Sequence, residues 1–448
     1  MASESRTSAR VVAQVRPFRD SAWDPDVLRR TELCLLDSLG CYSAGRSLAH
    51  FAPSATIANR LLGSDSNRSG SKSRFSPFAS AYFYGQAANA LDYDDTLFGH
   101  PGAPVVGAVL SAGRREQLPM DRLLRGIAAG YELHAVLGAA SAPSRERAAQ
   151  VRSVGGWDTV AAGVGVGVAL DLDDATLHRI VGVASAHSLL PYTAKWYERP
   201  VPAMKNNLGW AAAGAVLSVD LASAGQTGVT GVLDGDAGMW RMTGSDRWNL
   251  ERALGARPAV SRTGFKHFPA CWHLQEYLKT FSRLLATIAP DDEPVEIVLA
   301  GPAEMQKFCV PEIVGPADVA FSLPATFSLL VCAVEPGPDW VEVDDRSPAL
   351  RYRNVFRYER AQARAISVRT RDGFESTVAV DVSDAADPAA WGLDDAGVRA
   401  KHERLADPGL RAAAAAESPA GNPASTGGVP GRLYDVIDQL MAGHEWAG

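Results

Sequence analysis

Along the first 260 residues the apolar positions recur at helical spacing within stretches rich in Ala, Leu, Gly and Val. In "LRRTELCLLDSLGCYSAG" Leu28, Leu35, Leu36 and Leu39 fall at steps compatible with one helix face. "MDRLLRGIAAGYELHAVLGAAS" repeats the pattern, and "DDATLHRIVGVASAHSLL" adds acidic residues suited to a helix N-terminus. Stacked helices follow. From about 263 to 400 the period shortens: "PVEIVLAG", "AISVRT" and "STVAVDV" alternate β-branched and other residues, the last two joined by a turn at Asp372-Gly373. The Ala/Pro/Gly-rich stretch 408–430 reads as a long loop, and 64–73 ("SDSNRSGSKS") as a polar surface loop. "GRLYDVIDQLMAG" then places Leu433, Val436, Ile437, Leu440 and Met441 on one stripe of a closing helix that packs back on the first part.

Composition narrows the class. The chain has 448 residues, 46% hydrophobic and 21% charged, enough to bury a large core divided between two domains. A net charge of -7, with 44 basic residues spread thinly, offers no footprint for nucleic acid or an anionic membrane surface. The longest apolar run, 159–170, is well under the roughly 18 residues of a membrane span, and the N-terminal stretch lacks a signal-peptide core. The expected setting is cytoplasmic, with no membrane partner. Five cysteines without a CxxC pair suit reduced thiols.

Several segments carry unusual chemistry. "ALDYDDTLFGHPGAP" sets Asp92, Asp94, Asp95, Thr96 and His100 among small and apolar neighbours. On a helix Asp92 and Asp95 would share a face at i, i+3. Such a pair fits three roles: binding Mg²⁺, orienting a catalytic imidazole, or capping a helix end beside a structurally bonded histidine. His100 precedes Pro101-Gly102, which places its ring on a turn. Lys205 opens a helix of small and apolar residues, where an ammonium must be paired, reach solvent, or meet an anion. "FKHFPACWHLQEYL" gathers Lys266, His267, Cys271 and His273 at the change of texture, with a spacing that matches no recognised zinc pattern. Asp158 stands ahead of a glycine-rich helix as a candidate N-cap. No G-x-S-x-G, P-loop or HExxH pattern occurs, and the glycines of "AAGVGVGVAL" lack the preceding strand of a dinucleotide fold, so NAD and ATP have no support.

Taken in order, "LLDSLGCYSAG", "ALDYDDT…HPG", "GWDT", "MKNNLGWAAAGAVLSVDLASAGQTGVTGVLDGDAGMW", "FKHFPACWHLQEYL" and "AFSLPATFSLLV" resemble the MmgE/PrpD family across nearly the whole chain. That family includes 2-methylcitrate dehydratase, cis-aconitate decarboxylase and iminodisuccinate epimerase. The resemblance implies a mainly α fold: a large all-helical domain (1–262, with 403–448 returning to it) and an inserted smaller α/β (α+β) lid domain at 263–402. It also implies a homodimer and a cofactor-free site between the domains.

The family's active-site pattern falls on Asp92, Thr96, His100, Lys205 and Lys266. By that resemblance His100 moves the proton, Asp92 orients it, Thr96 binds the ligand, and Lys205 and Lys266 neutralise a substrate carboxylate or an enolate-like intermediate. Asp95 braces the loop. Three positions depart from the pattern: Asn89, Cys271 and Gln275 stand where many relatives carry histidine, and His273 is a nearby substitute. Asn89, Cys271, His273 and Gln275 are therefore expected to contact substrate. No metal is expected.

The expected activity is that of a cofactor-independent lyase, a dehydratase or decarboxylase acting on a small carboxylate other than 2-methylcitrate or cis-aconitate. The alternatives are an isomerase or epimerase of the same family, or a catalytically silent metabolite-binding member. A Mg²⁺-dependent helical enzyme in the manner of terpenoid synthases is disfavoured, because no second acidic metal segment is evident.

Overall fold

The computed structural model describes residues 6–62, 76–152, 155–189, 192–203, 206–382, 387–418 and 427–442. The polar stretch 64–73 and Lys205 lie outside the described residues. The helical periodicity of the first part becomes α1 (Arg6–Asp20), α2 (Pro25–Gly45), α3 (Ala52–Leu62), α4 (Pro77–Ala88), α5 (Gly102–Glu116), α6 (Met120–Ala140), α7 (Arg145–Ala148), α8 (Asp158–Ala169), α9 (Asp174–Ser185), α10 (Leu208–Ser223) and α11 (Ala259–Arg262). Local chemistry sets several of the starts. Asp24, Ser76 and Asp173 each accept backbone N–H bonds at the N-termini of α2, α4 and α9, and proline occupies the first turn of α2 and α4.

Helix α8 is apolar all round and buried along its whole length, packing against α5, α6, α9 and α10. Its glycines serve contact, not nucleotide binding. A Cβ on Gly165 would lie 2.7 Å from the carbonyl oxygen of Gly126 on α6, so these two helices meet backbone to backbone.

The second part contains α12 (Gln275–Leu285), α13 (Leu323–Val331) and a four-stranded mixed sheet of order β4-β3-β5-β6. Its strands are β3 (Pro294–Gly301), β4 (Phe356–Arg360), β5 (Ala365–Thr370) and β6 (Glu375–Ala379). The expected hairpin joins β5 to β6, and β3 runs antiparallel to β5 and parallel to β4. Ile297 and Leu299 pair with Val368 and Ile366, and all four are buried on the face that meets α12. A further two-residue pair, β1 (Val151–Arg152) with β2 (Tyr192–Thr193), lies within the helical part.

Two apolar cores result. The first spans Val11 to Phe265, takes in Val341 and resumes at Val398, while the second runs from Phe268 to Val380 with Val201 added. The chain thus rejoins the first core at α14 (Asp395–Leu405), which packs on α2, a few residues before the expected return at 403.

The stretch 408–430 is not a continuous loop. Pro408–Glu417 forms α15, started by Asp407 accepting from Gly409 N, because a run of alanines favours helix once a cap and an N-terminal proline start it. The closing helix α16 (Gly431–Ala442) buries Leu433, Ile437 and Met441 and leaves Val436 and Leu440 half-covered, as the stripe predicts. Mainly α with a small α/β part is therefore the fold class. Among the described residues, no helix is long and apolar enough to cross a membrane.

Candidate active site

The segment between α4 and α5 is not helical, and this changes which acids meet. Asp92 and Phe98 adopt left-handed backbone (φ 54° and 53°), and Gly99 (φ 152°) takes a conformation that favours glycine. The i, i+3 pairing of Asp92 with Asp95 is absent. Instead Asp92 and Asp94 converge on His100, with Asp92 Oδ1 3.8 Å from Nε2 and Asp94 Oδ1 3.3 Å from Nδ1. All three side chains are buried.

Asp95 points the other way. Its carboxylate accepts from Gly102 N at 3.0 Å and from the Tyr131 hydroxyl, bracing the loop as expected. Burial pushes its pKa up to about 8, with the charge of Asp37 adding to the shift.

The second segment reaches the same place from the junction of the cores. Thr96 and Gly264 exchange backbone hydrogen bonds of 2.9 and 3.0 Å, and Arg30 on α2 donates to the carbonyls of Val260 and Thr263. This fixes Lys266, whose ammonium is fully buried and donates to Asp92 Oδ1 at 2.7 Å and to the Asp92 carbonyl at 2.8 Å. Asn206, beside Lys205 in sequence, donates to Asn89 Oδ1 at 2.8 Å, and the Asn89 amide donates to both oxygens of Asp94 at 2.9 Å. A buried relay results: Asn206, Asn89, Asp94, His100, Asp92, Lys266, hydrogen-bonded at its two ends and held at His100 by ion-pair contacts of 3.3 and 3.8 Å.

The relay opens onto a cavity of about 650 Å³, within the usual range for small-molecule sites. Thr96, Gly99 and His100 from the first segment and Cys271, Trp272 and His273 from the second line it. Phe98, Pro143, Val151, Tyr197 and Pro388 extend the wall, and Arg145, Glu304 and Lys307 add charge. Both apolar cores contribute to the lining.

The structure sorts the residues singled out in the sequence. Asp92, His100 and Lys266 meet in the relay, and Thr96, Cys271 and His273 line the cavity with His100. Lys266 differs from the expectation of direct contact with substrate: it is not in the cavity lining, because its ammonium is held beneath Asp92. Asn89 likewise acts within the relay and on a separate small recess beside His50 and Gln86. Gln275 departs furthest. Its amide accepts from His267 N and Phe268 N and donates to the carbonyls of Phe268 and Ala270, so it shapes the backbone that carries Lys266 and Cys271. Asp158 is the first residue of α8, not its cap, and its carboxylate lies 3.1 Å from Nδ1 of His134.

Sequence reasoning passed over four contributors. Asp94 was overlooked because a helical reading turned it away, and Asn206 because lysine drew attention in its motif. Tyr131 and Lys401 sit on distant helices, where only the fold brings them to the loop.

Asp92, Asp94 and His100 also form a candidate cation set, their ligand atoms lying within 4.8 Å of one another. The donors are already engaged. Lys266 bonds Oδ1 of Asp92, and Asn89 holds both Asp94 oxygens. A cation here would stand beside a buried ammonium, a repulsion that low dielectric strengthens. The donor set suits ion pairing around His100 better than a metal centre.

A helical body, a sheet-bearing part and a buried acid–imidazole relay meet at this cavity. The MmgE/PrpD N-terminal domain family matches residues 9–251 of the 448, and the chain belongs to the MmgE/PrpD family. None of the curated proteins matches it.

Proposed function

We propose that this chain is a cofactor-independent lyase, a dehydratase or decarboxylase, acting on a carboxylate-bearing small molecule by proton transfer at His100. One observation carries the reading: His100 is the point at which the buried relay meets the cavity. A base placed there takes a proton from a carbon next to a carboxylate, and the electron pair is delocalised as an enolate. In dehydration the pair then expels hydroxide, which leaves as water with a proton from another lining residue, His273 or Cys271.

Lys266 holds Asp92, and Asp92 with Asp94 holds the imidazole, so the lysine acts through the relay as a positioning residue. Neutralising the substrate carboxylate is assigned to Lys205 from the family pattern alone. Residues 263–402 act as the lid, and the working form is a homodimer, both assignments resting on the family resemblance.

An isomerase or epimerase is the second reading. It is favoured by the placement of His100 and the Cys271–His273 pair on different segments around one cavity, since inversion at carbon needs proton-transfer groups on two faces.

A proton NMR time course in D₂O against citrate-like and β-substituted dicarboxylic acids tests both. A new alkene or a lost carboxylate supports the lyase, and deuterium entering carbon without a new skeleton supports the isomerase. Replacing His100 by Ala should lower either rate about 10²- to 10⁴-fold with the fold intact. Undiminished turnover in that variant would sink the assignment.

A further inference from the structure

We propose that the acid taken by this site bears a bulky apolar group, so that the substrate class is an aryl- or arylalkyl-substituted carboxylic acid and not a compact polycarboxylate. The inference rests on the proposed function for the reacting end of the molecule and on the cavity for the rest.

Beyond Thr96 and His100 the cavity is walled by Phe98, Pro143, Val151, Tyr197, Trp272 and Pro388. The aromatic part of this wall is built in place. Tyr197 packs edge-on against Phe308 and Phe321 at 5.7 and 5.8 Å, while Trp272 lies 3.9 Å from the His273 ring, which in turn contacts Phe308 at 5.8 Å. Rings held by one another keep this part of the wall in place, so it loses little entropy on binding.

Charge on the wall argues the same way. Among the described lining residues the lysines and arginines are Arg145 and Lys307. Arg145 is 83% exposed and paired with Glu304 at 3.1 Å, and the Lys307 ammonium sits 4.0 Å over the Tyr197 ring. Lys266 is beneath Asp92. A compact acid with three carboxylates would set charge against the apolar and aromatic part of this wall, which is costly. A phenyl-sized group placed there gains on the order of 10- to 100-fold in affinity.

Calorimetric titration of the full chain with benzylsuccinate, methylsuccinate and citrate tests the proposal. Benzylsuccinate should bind at least about 10-fold more tightly than either of the others. In Tyr197→Ala and Trp272→Ala the ratio of benzylsuccinate to methylsuccinate affinity should fall towards one. Equal or weaker binding of benzylsuccinate, failure of all three acids to bind, or a preference that survives both substitutions would overturn it. The outcome is separable from the proposed chemistry: an aryl preference without solvent exchange or turnover for any acid counts against the lyase and isomerase readings alone, whereas turnover confined to citrate-like acids counts against the aryl substrate alone.

Discussion

The ammonium of Lys401, on α14, donates to the carbonyl oxygen of Tyr93 at 2.5 Å, pinning the residue that separates the two acids facing His100. The same ammonium is paired with Asp37 on α2 at 2.7 Å and lies 3.9 Å over the Tyr93 ring. The C-terminal part of the chain thereby fixes the acid-bearing loop. Burial works against the charged lysine, but the nearby carboxylate outweighs it and leaves the Lys401 pKa raised.

Removing one partner of such a pair leaves the other charged and buried, at a cost of about 3–5 kcal/mol. Lys401→Met should therefore destabilise the fold by that amount and lower kcat more than it raises KM. Combining it with Asp37→Asn removes both charges, so the double variant should be less destabilised than the sum of the singles by about 1 kcal/mol or more. Denaturant unfolding of the four forms checks this, and strict additivity would show that the two groups do not act together.

Asp95 makes stability depend on pH with an unusual sign for a carboxyl. Its folded-state value of about 8 lies above the ordinary 3.8, so between these limits the folded protein binds more protons than the unfolded chain. Stability from this group is complete below about pH 4 and is lost as the pH rises through about 8. Asp95→Asn, which keeps the shape and cannot ionise, should flatten the decline in unfolding free energy between pH 5 and pH 9. A slope identical to that of the parent would show that another group governs it.

Because Lys266 already holds Oδ1 of Asp92 and would repel a cation beside it, and Asn89 holds both oxygens of Asp94, EDTA should leave turnover unchanged, and added Mg²⁺ should not raise the melting temperature. Loss of activity in EDTA that Mg²⁺ restores would instead assign the Asp92–Asp94–His100 cluster to a metal.

The α6–α8 contact predicts a steric penalty. Gly165→Ala would press a methyl group to 2.7 Å from the Gly126 carbonyl and 3.2 Å from Gly130 Cα, both backbone atoms. A loss of about 1–3 kcal/mol is expected in denaturant unfolding. An unaffected midpoint would mean that the two helices do not meet so closely.

Much of the helical body was legible because local signals agreed with packing: the acidic start at Asp173 caps its helix, and the stripe of Leu433, Ile437 and Met441 faces the core. Strand β4 was not, since "FRYER" alternates charge with half-buried aromatics and owes its place to pairing with β3. The alanine run of α15 resembled low complexity because composition hid a capped helix.

The sequence by itself determined the family, the mainly helical class and Asp92, His100 and Lys266 as candidates for one site, because motif order and apolar periodicity are local properties carried by the chain. Tertiary structure alone decided that Asp94, not Asp95, joins Asp92 at His100, that Lys266 serves Asp92, and that Gln275 holds backbone. The reason is physical: the direction of a buried polar side chain follows from left-handed turns at Asp92 and Phe98 and from partners on distant helices, which low dielectric makes costly to leave unmatched.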